Sequence, residues 1–325
     1  MEDMNLPPVV VGEIKIPKRV FIVPYRNRCQ QKFFFCKYMS FIMEGVTDYE
    51  IYFSHQYDKR SFNRGATKNI GFLAIKQKYP NDYKNITLVF NDVDTVPFKS
   101  MFDYETTAGV VKHYYGFTET LGGIVVIKAG DFERVNGFPN FWGYGMEDNC
   151  LNSRCQKYNL HIDRSIFFTV GSPEILQLFD GITRIVNNRD PIRAKYDDGV
   201  DGIKTIHKLF YTIDLESKSI NDNADIVNGL PMFYINIYCF YSRILFESEN
   251  YYNYDLRDPP GKITNPDRSK LTTQTVGRSE EWKHIPHHTT QLAVKKITHP
   301  HSIPPRPPQQ QQNNIHSGVV FKRLR

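Results

Sequence analysis

The 325-residue chain has no apolar run of about 18 residues or more, so no membrane span is expected. Its opening, MEDMNLPPVVVGEIKIPKRV, lacks the basic-then-apolar order of a secretory signal. Five cysteines (Cys29, Cys36, Cys150, Cys155 and Cys239) include no C-x-x-C pair, and their number is odd. That argues against a zinc knuckle and a disulfide scaffold, and for packed thiols in a reducing compartment. No internal repeat is present, which excludes a solenoid or propeller. The body also lacks excess charge. Eleven Lys and Arg face three Asp and Glu between Gly261 and Arg325, so this tail holds more than the whole net charge of +6. A basic, nucleic-acid-binding body is therefore not expected.

What is present is an ordinary globular balance, 40% apolar and 23% charged, with 20 Tyr and 23 Phe to fill a core or face a flat ligand. Arg19 to Pro24 reads as a buried strand, Gln30 to Glu44 as a helix and Tyr49 to Ser54 as an alternating strand. Asn63 to Tyr79 reads as a helix with Ile70, Leu73, Ala74 and Ile75 inward, followed by a β-branched strand from Ile86 to Phe90. This alternation predicts an α/β fold with a parallel sheet, whose ligands sit at the carboxyl ends of the strands. Further on, Gly122 to Lys128 reads as a strand, Asp131 to Val135 as a short helix and Met146 to Tyr158 as a helix. Met232 to Leu245 is expected to supply terminal strands of the same core. The predicted organisation is a leader over residues 1–17, one domain over 18–257 and a disordered Pro/Gln/His-rich tail over 258–325. The six tail histidines are scattered and read as solvated rather than as metal ligands.

Three segments carry chemistry. Asp92-Val93-Asp94 follows an apolar strand, and paired carboxylates there suit a hard divalent cation, although many such pairs are plain surface turns. Arg26-Asn27-Arg28 ends the first strand, with Arg64 as a third cation; such arginines grip phosphate oxygens or are simply surface charges. Tyr25 and Phe62 can sandwich a base or pack in the core. Pro139 to Asn149, PNFWGYGMEDN, offers Trp142 and Tyr144 among glycines as a mobile platform for a sugar, then Glu147 and Asp148 at a helix start. A carboxylate there can act as a general base, or merely cap the helix.

Taken in order, VPYRNR, FNRG, DVD, Gly122-Gly123, NGFPNFWGYGMED and Asn152-Ser153-Arg154 resemble the animal β-1,4-galactosyltransferase family, over roughly Lys18 to Cys239. The resemblance includes the xylosylprotein and N-acetylgalactosaminyl variants. It implies a GT-A type domain that uses Mn²⁺ and a UDP-hexose in an inverting single displacement. By that resemblance Pro24, Tyr25, Arg26, Arg28, Phe62 and Arg64 hold UDP, Asp92 and Val93 lie against the nucleotide, and Asp94 binds the metal. Gly123 lies beside the donor sugar, and Tyr144 stands where the family has a Trp over donor and acceptor. Glu147 and Asp148 face the acceptor, with Asp148 as the base.

The chain departs from the family in several places. The family's second metal ligand, a His about 25 residues after the carboxylates, has no counterpart from Gly171 to Asp190, where Glu174 is the nearest oxygen donor on offer. Asn149 replaces a third carboxylate. Thr120-Leu121 replaces an aromatic pair before the glycines, which leaves UDP-Gal, UDP-GalNAc and UDP-Glc open as donors. The family's N-terminal span is missing, so the expectation is a soluble cytoplasmic relative, virus-encoded origin included. The acceptor is expected to be a glycan or glycoconjugate, with no nucleic-acid partner. The competing readings are a UDP-sugar or glycan-binding module that has lost a metal ligand, and a nucleic-acid binder driven by the tail.

Overall fold

Val20, Phe21, Ile22 and Val23 are all fully buried, which requires a covering layer on each face of their strand. The computed structural model, which describes residues 15–178, 184–214, 232–246 and the backbone of 251–254, supplies both layers. Strand β1 (Arg19–Tyr25) leads into helix α1 (Cys29–Ile42), and β2 (Tyr49–Gln56) leads into α2 (Arg64–Lys78). Val20 and Ile22 point into a core with Ile70, Ala74 and Ile75 of α2. Phe21 and Val23 point into the opposite core with Phe35, Cys36 and Met39 of α1. Successive strand residues thus serve different layers, as the two-residue period of a strand demands. Leu73, expected inward, is only partly buried at the margin of its core.

Next come β3 (Thr87–Asn91), β4 (Thr95–Pro97), β5 (Val110–Gly116), β6 (Ile124–Lys128), α3 (Ala129–Arg134) and α4 (Glu147–Lys157). They are followed by β7 (His161–Asp163), β8 (Phe168–Thr169), β9 (Ile175–Gln177), β10 (Arg184–Asn187), α5 (Asp190–Lys195), β11 (His207–Asp214), β12 (Met232–Tyr241) and β13 (Tyr251–Tyr254). The main sheet runs β11-β12-β2-β1-β3-β6-β5-β7, with β8 also on β5. Strands β12, β2, β1 and β3 are mutually parallel, as the α/β alternation predicts. Strand β6, however, is antiparallel to β3, and β5 to β6, so the sheet is mixed. Met232 to Leu245 contributes one strand to this sheet, not several.

The reversal at β6 builds the site. Asn91, the last residue of β3, pairs with Ile124, the first of β6. The Gly122-Gly123 turn that precedes β6 therefore sits beside the Asp92-Val93-Asp94 turn that follows β3, and Asp92 N donates to Gly123 O at 3.2 Å. The ends of β1 and β2 lie on the same rim. Among the described residues no helix is long and apolar enough to cross a membrane. The tail, residues 258–325, and residues 1–14 of the leader lie outside the described residues.

Candidate active site

A cleft of about 540 Å³ opens at the carboxyl ends of β1 and β2. Tyr25, Arg26, Asn27 and Cys29 line one side and His55, Gln56, Tyr57 and Asp58 the other. Asn27 takes the left-handed backbone conformation (φ 50°), which bends the chain between the strand and α1. Pro24 pairs with Ser54 and Tyr25 with His55 across the strands. The Tyr25 ring packs edge-on to Phe53 and lies 5.0 Å from the His55 ring. Arg26 meets Asp58 at 3.6 Å, but its Nη1 is buried without a hydrogen bond. A buried guanidinium nitrogen left so is a ready donor for an anionic ligand. Arg28 occupies the N-cap position of α1 on the same turn. Burial lowers the His55 pKa, with Lys32 and Arg26 adding to the effect against its hydrogen bond to Asn236.

The second half of the site is an ion cluster. Asn63 caps α2 by accepting from Ala66 N, which fixes the helix start. Arg64, in its first turn, then reaches three carboxylates. It donates to both oxygens of Asp92 (2.7 and 2.8 Å from Nη2), to Glu147 Oε1 (2.6 Å) and to Asp148 Oδ2 (2.6 Å). Lys68, one turn on, donates to Asp148 Oδ1 at 3.1 Å. The Gly122 Cα presses so close to Asp148 that a Cβ there would collide with the carboxylate. Leu121 N also donates to Asp148 O, at 3.0 Å. Gly123 takes φ +73°, and a side chain on it would strike Tyr115 O, so both glycines are required where they stand.

The two adjacent carboxylates differ electrostatically. Burial raises the Asp148 pKa, but the Arg64 and Lys68 charges outweigh it and hold Asp148 below the ordinary aspartate value. Burial raises Glu147, and the Asp148 charge adds to this, so Glu147 stays above the ordinary glutamate value despite Arg64 and Lys68. Glu147 Oε2 is buried without a hydrogen bond. One carboxylate is kept ionised, and its neighbour holds an open acceptor.

Residues 14–107 match the family model described as the N-terminal region of glycosyl transferase group 7, and residues 104–173 match the N-terminal domain of galactosyltransferase. The human β-1,4-galactosyltransferase 4 is 31% identical over 170 residues, 47% of this chain and 47% of that protein. These matches support the β-1,4-galactosyltransferase family for this chain. The Cricetulus griseus β-1,4-galactosyltransferase 4 is 28% identical over 61% of this chain and 56% of that protein, so the chain spans about half the length of such relatives. The Caenorhabditis elegans xylosylprotein 4-β-galactosyltransferase is 27% identical over 61% of this chain and 72% of its own. A crystal structure of Drosophila β-1,4-galactosyltransferase 7 with manganese, UDP-Gal and xylobiose superposes with a TM-score of 0.55 over 69% of this chain and 94% of that one, at 19% identity. That likeness establishes the GT-A fold for the described sheet and its flanking helices.

The aromatic loop differs from the sequence reading. Trp142 is not a mobile sugar platform. It is 1% exposed, stacks on Phe240 at 5.3 Å and donates from Nε1 to Ile244 O at 2.8 Å. The Arg60 guanidinium covers both rings at 4.5 Å. The loop packs its Trp because an indole can satisfy both a core and its own N–H in one place. Trp142→Ala should therefore cost about 3–5 kcal/mol of stability, measurable by calorimetric melting. A melting temperature equal to wild type would show that the stack carries no load. Tyr144 is the exposed member of the pair, 50% accessible, with Arg184 over its ring. Its backbone N donates to Ile185 O at 2.6 Å, and Gly143 N donates to Asp190 Oδ2 at 3.1 Å, so β10 and α5 hold the loop.

The family implies a metal at Asp94. Asp94 is half-buried beside Val93, while Asp92 is already taken by Arg64. Antiparallel β9 runs along β4, with Leu178 N donating to Asp94 O at 2.7 Å and Gln177 opposite Thr95. Gln177 Oε1 accepts from Tyr115 Oη at 2.8 Å. Glu174 does not reach this point. It is exposed and stands opposite Phe98, whose N donates to its carbonyl at 2.7 Å, at the far end of the ribbon. No group of three or more His, Cys, Asp and Glu able to hold an ion exists among the described residues. The donor set is oxygen-only and thin. It fits a hard cation that takes most of its ligands from a diphosphate and water, not one caged by protein.

Sequence reasoning missed Lys68, His55 and Asp58. Lys68 had a signal: it lies four residues after Arg64, and that spacing puts two cations on one helical face. His55 and Asp58 carry none, because only the parallel pairing of β1 with β2 brings them to the cleft.

Proposed function

We propose that the chain is an inverting, divalent-metal-dependent hexosyltransferase that moves galactose or a related hexose from a UDP-sugar to an acceptor sugar hydroxyl. The observation that carries this reading is the convergence of Asp92, Glu147 and Asp148 on Arg64, with the Gly122-Gly123 turn against Asp92 and Asp148, at the carboxyl rim where β1 and β2 open a cleft. Tyr25, Arg26 and Arg28 take the nucleotide in the cleft, Phe62, Asp92 and Val93 border it, and Pro24 shapes the turn. Gly123 leaves room for the donor hexose, and Tyr144 covers it. Glu147 Oε2 accepts a hydrogen bond from an acceptor hydroxyl and orients it. Asp148 takes the proton of the attacking hydroxyl as its oxygen bonds to the anomeric carbon. The bond from that carbon to the β-phosphate oxygen breaks, and UDP leaves with the electron pair. Mn²⁺ bound at Asp94 would supply the charge that neutralises the departing diphosphate. The chain's own share is positive charge at the phosphates and fixed positions for both sugars.

The test is UDP release and sugar transfer by purified protein with UDP-Gal, UDP-GalNAc and UDP-Glc, each with and without Mn²⁺. Acceptors are N-acetylglucosamine, glucose and xylose. Metal-dependent transfer from one donor is expected, and the preferred donor reports what Thr120 admits. Donor binding without turnover in any metal would favour the binding-module reading, which the thin metal set supports. Asp94→Asn should abolish the gain in UDP affinity that Mn²⁺ provides, by more than the roughly 10–100-fold that losing an outer partner costs. Metal-free UDP binding should stay unchanged. Calorimetric UDP titrations with and without MnCl₂ measure both, and an intact Mn²⁺ effect would move the metal elsewhere.

A further inference from the structure

Lys68 is the most deeply buried cation at the site, with 2% of its side chain exposed. Burying an ammonium is unfavourable unless acidic groups face it, and a Met side chain would fill much the same slot without that cost. The groups that face its Nζ come from every neighbouring element. They are Arg64 on its own helix, Asp148 and Glu147 from α4, Asp92 from the end of β3, and the Phe138 ring at 4.3 Å. Its one hydrogen bond to a carboxylate is to Asp148 Oδ1. The backbone around it is fixed. Gly65 lies so close to Pro139 O that a Cβ would collide, and Asn69 Nδ2 ties α2 to Phe138 O at 2.7 Å. The ammonium therefore has little freedom to leave its carboxylate.

We propose that Lys68 is a positioning residue for Asp148. Its ammonium holds Oδ1 while Arg64 holds Oδ2, so the carboxylate is kept against Gly122 in one orientation toward the acceptor hydroxyl. The inference rests on the reading of Asp148 as the base. The two cations are not equivalent. Arg64 also binds Asp92 and stands where the proposed nucleotide-binding segment lies, so an arriving diphosphate competes for it. Lys68 is enclosed and cannot follow, and it is the cation that stays on Asp148 when the donor is bound. Burial lowers the Lys68 pKa and Arg64 adds to this, while Asp148, Asp92 and Glu147 oppose it. The ammonium thus depends on its acidic neighbours, and Asp148 on it.

The experiment pairs Lys68→Met with Asp148→Asn. Lys68→Met should lower kcat by about 10²-fold, the scale of a 1 Å misplacement, with UDP affinity unchanged. The acid limb of its kcat–pH profile should move to higher pH, because Asp148 loses one of the two cations that keep it ionised. Lys68→Arg should restore part of kcat. A crystal structure of Lys68→Met should show the Asp148 carboxylate turned away from Gly122. If Lys68→Met folds poorly, Lys68→Gln keeps a donor without the charge and should shift the acid limb alone. Wild-type kcat and an unmoved acid limb in Lys68→Met, with only its melting temperature changed, would overturn the proposal. If instead Asp148→Asn transfers sugar at the wild-type rate, the base assignment fails, and the crystal structure of Lys68→Met still decides whether Lys68 orients that carboxylate.

Discussion

Asp148→Asn should lower kcat for sugar transfer by about 10²–10⁴-fold, the usual contribution of a positioned general base, while UDP binds as before. The substitution keeps the side chain's size and an oxygen for one of its two cations. What it loses is the ability to take a proton. Arg64 remains anchored by Asp92 and Glu147, so the cluster does not come apart. Lys68 is then left facing an amide, which costs stability of about 1–3 kcal/mol; melting of the variant must be measured beside its kinetics. Holding the wild-type carboxylate ionised has a chemical consequence. Because Arg64 and Lys68 depress its pKa against burial, the base form is fully populated at neutral pH, and its basicity is correspondingly modest. The rate then depends more on placement than on proton affinity. A variant that transfers sugar at the wild-type rate would remove Asp148 from this role. Glu147, whose pKa burial and the neighbouring Asp148 raise, would be the next carboxylate to replace.

The buried strands were legible because their chemistry is local. Val20 to Val23 and Leu88 to Phe90 are unbroken apolar runs, and each forms a strand buried on both faces. Helix α2 was legible from its period; the Asn63 cap that fixes its start shows only in the structure. The direction of β6 was not, because the residues that fix it lie outside the strand itself. Gly123 with φ +73° turns the chain, and the pairing of Asn91 with Ile124 is visible only once the turn exists. The candidate site divides in the same way. The Asp-x-Asp turn and the Glu-Asp helix start are contiguous and could be read. Trp142 was misread because a Trp among glycines looks exposed until Phe240 and Ile244, about a hundred residues later in the chain, come to cover it. Glu174 was misread because the register of β4 with β9 carries it past Asp94.

Arg64→Met should strongly destabilise the fold. It leaves Asp92, Glu147 and Asp148 without the guanidinium they share, while Lys68 stays bound to Asp148. Removing one partner from a buried ion pair costs about 3–5 kcal/mol. At roughly 2–4 °C per kcal/mol for a domain of this size, the melting temperature should fall by about 6–20 °C near neutral pH. The pH dependence has a definite sign. Asp148 has a folded-state pKa below its ordinary value of 3.8, so its stabilising effect is complete above that value and is lost as pH falls through the lower, folded one. Glu147 has a raised folded-state pKa, so its effect runs the other way, and stability is lost as pH rises from 4.5 through the raised value. Without Arg64 the depression of Asp148 shrinks and the elevation of Glu147 grows. The deficit of the variant should therefore be largest at neutral and higher pH and should narrow as pH falls toward 4, where the carboxylates take up protons. Arg64→Lys should recover little, because a single ammonium cannot present parallel donors to Asp92 while reaching Glu147 and Asp148. Melting curves of the three proteins across that range provide the measurement. A deficit independent of pH would mean that Arg64 stabilises the fold by packing alone, and that the three carboxylates do not depend on its charge.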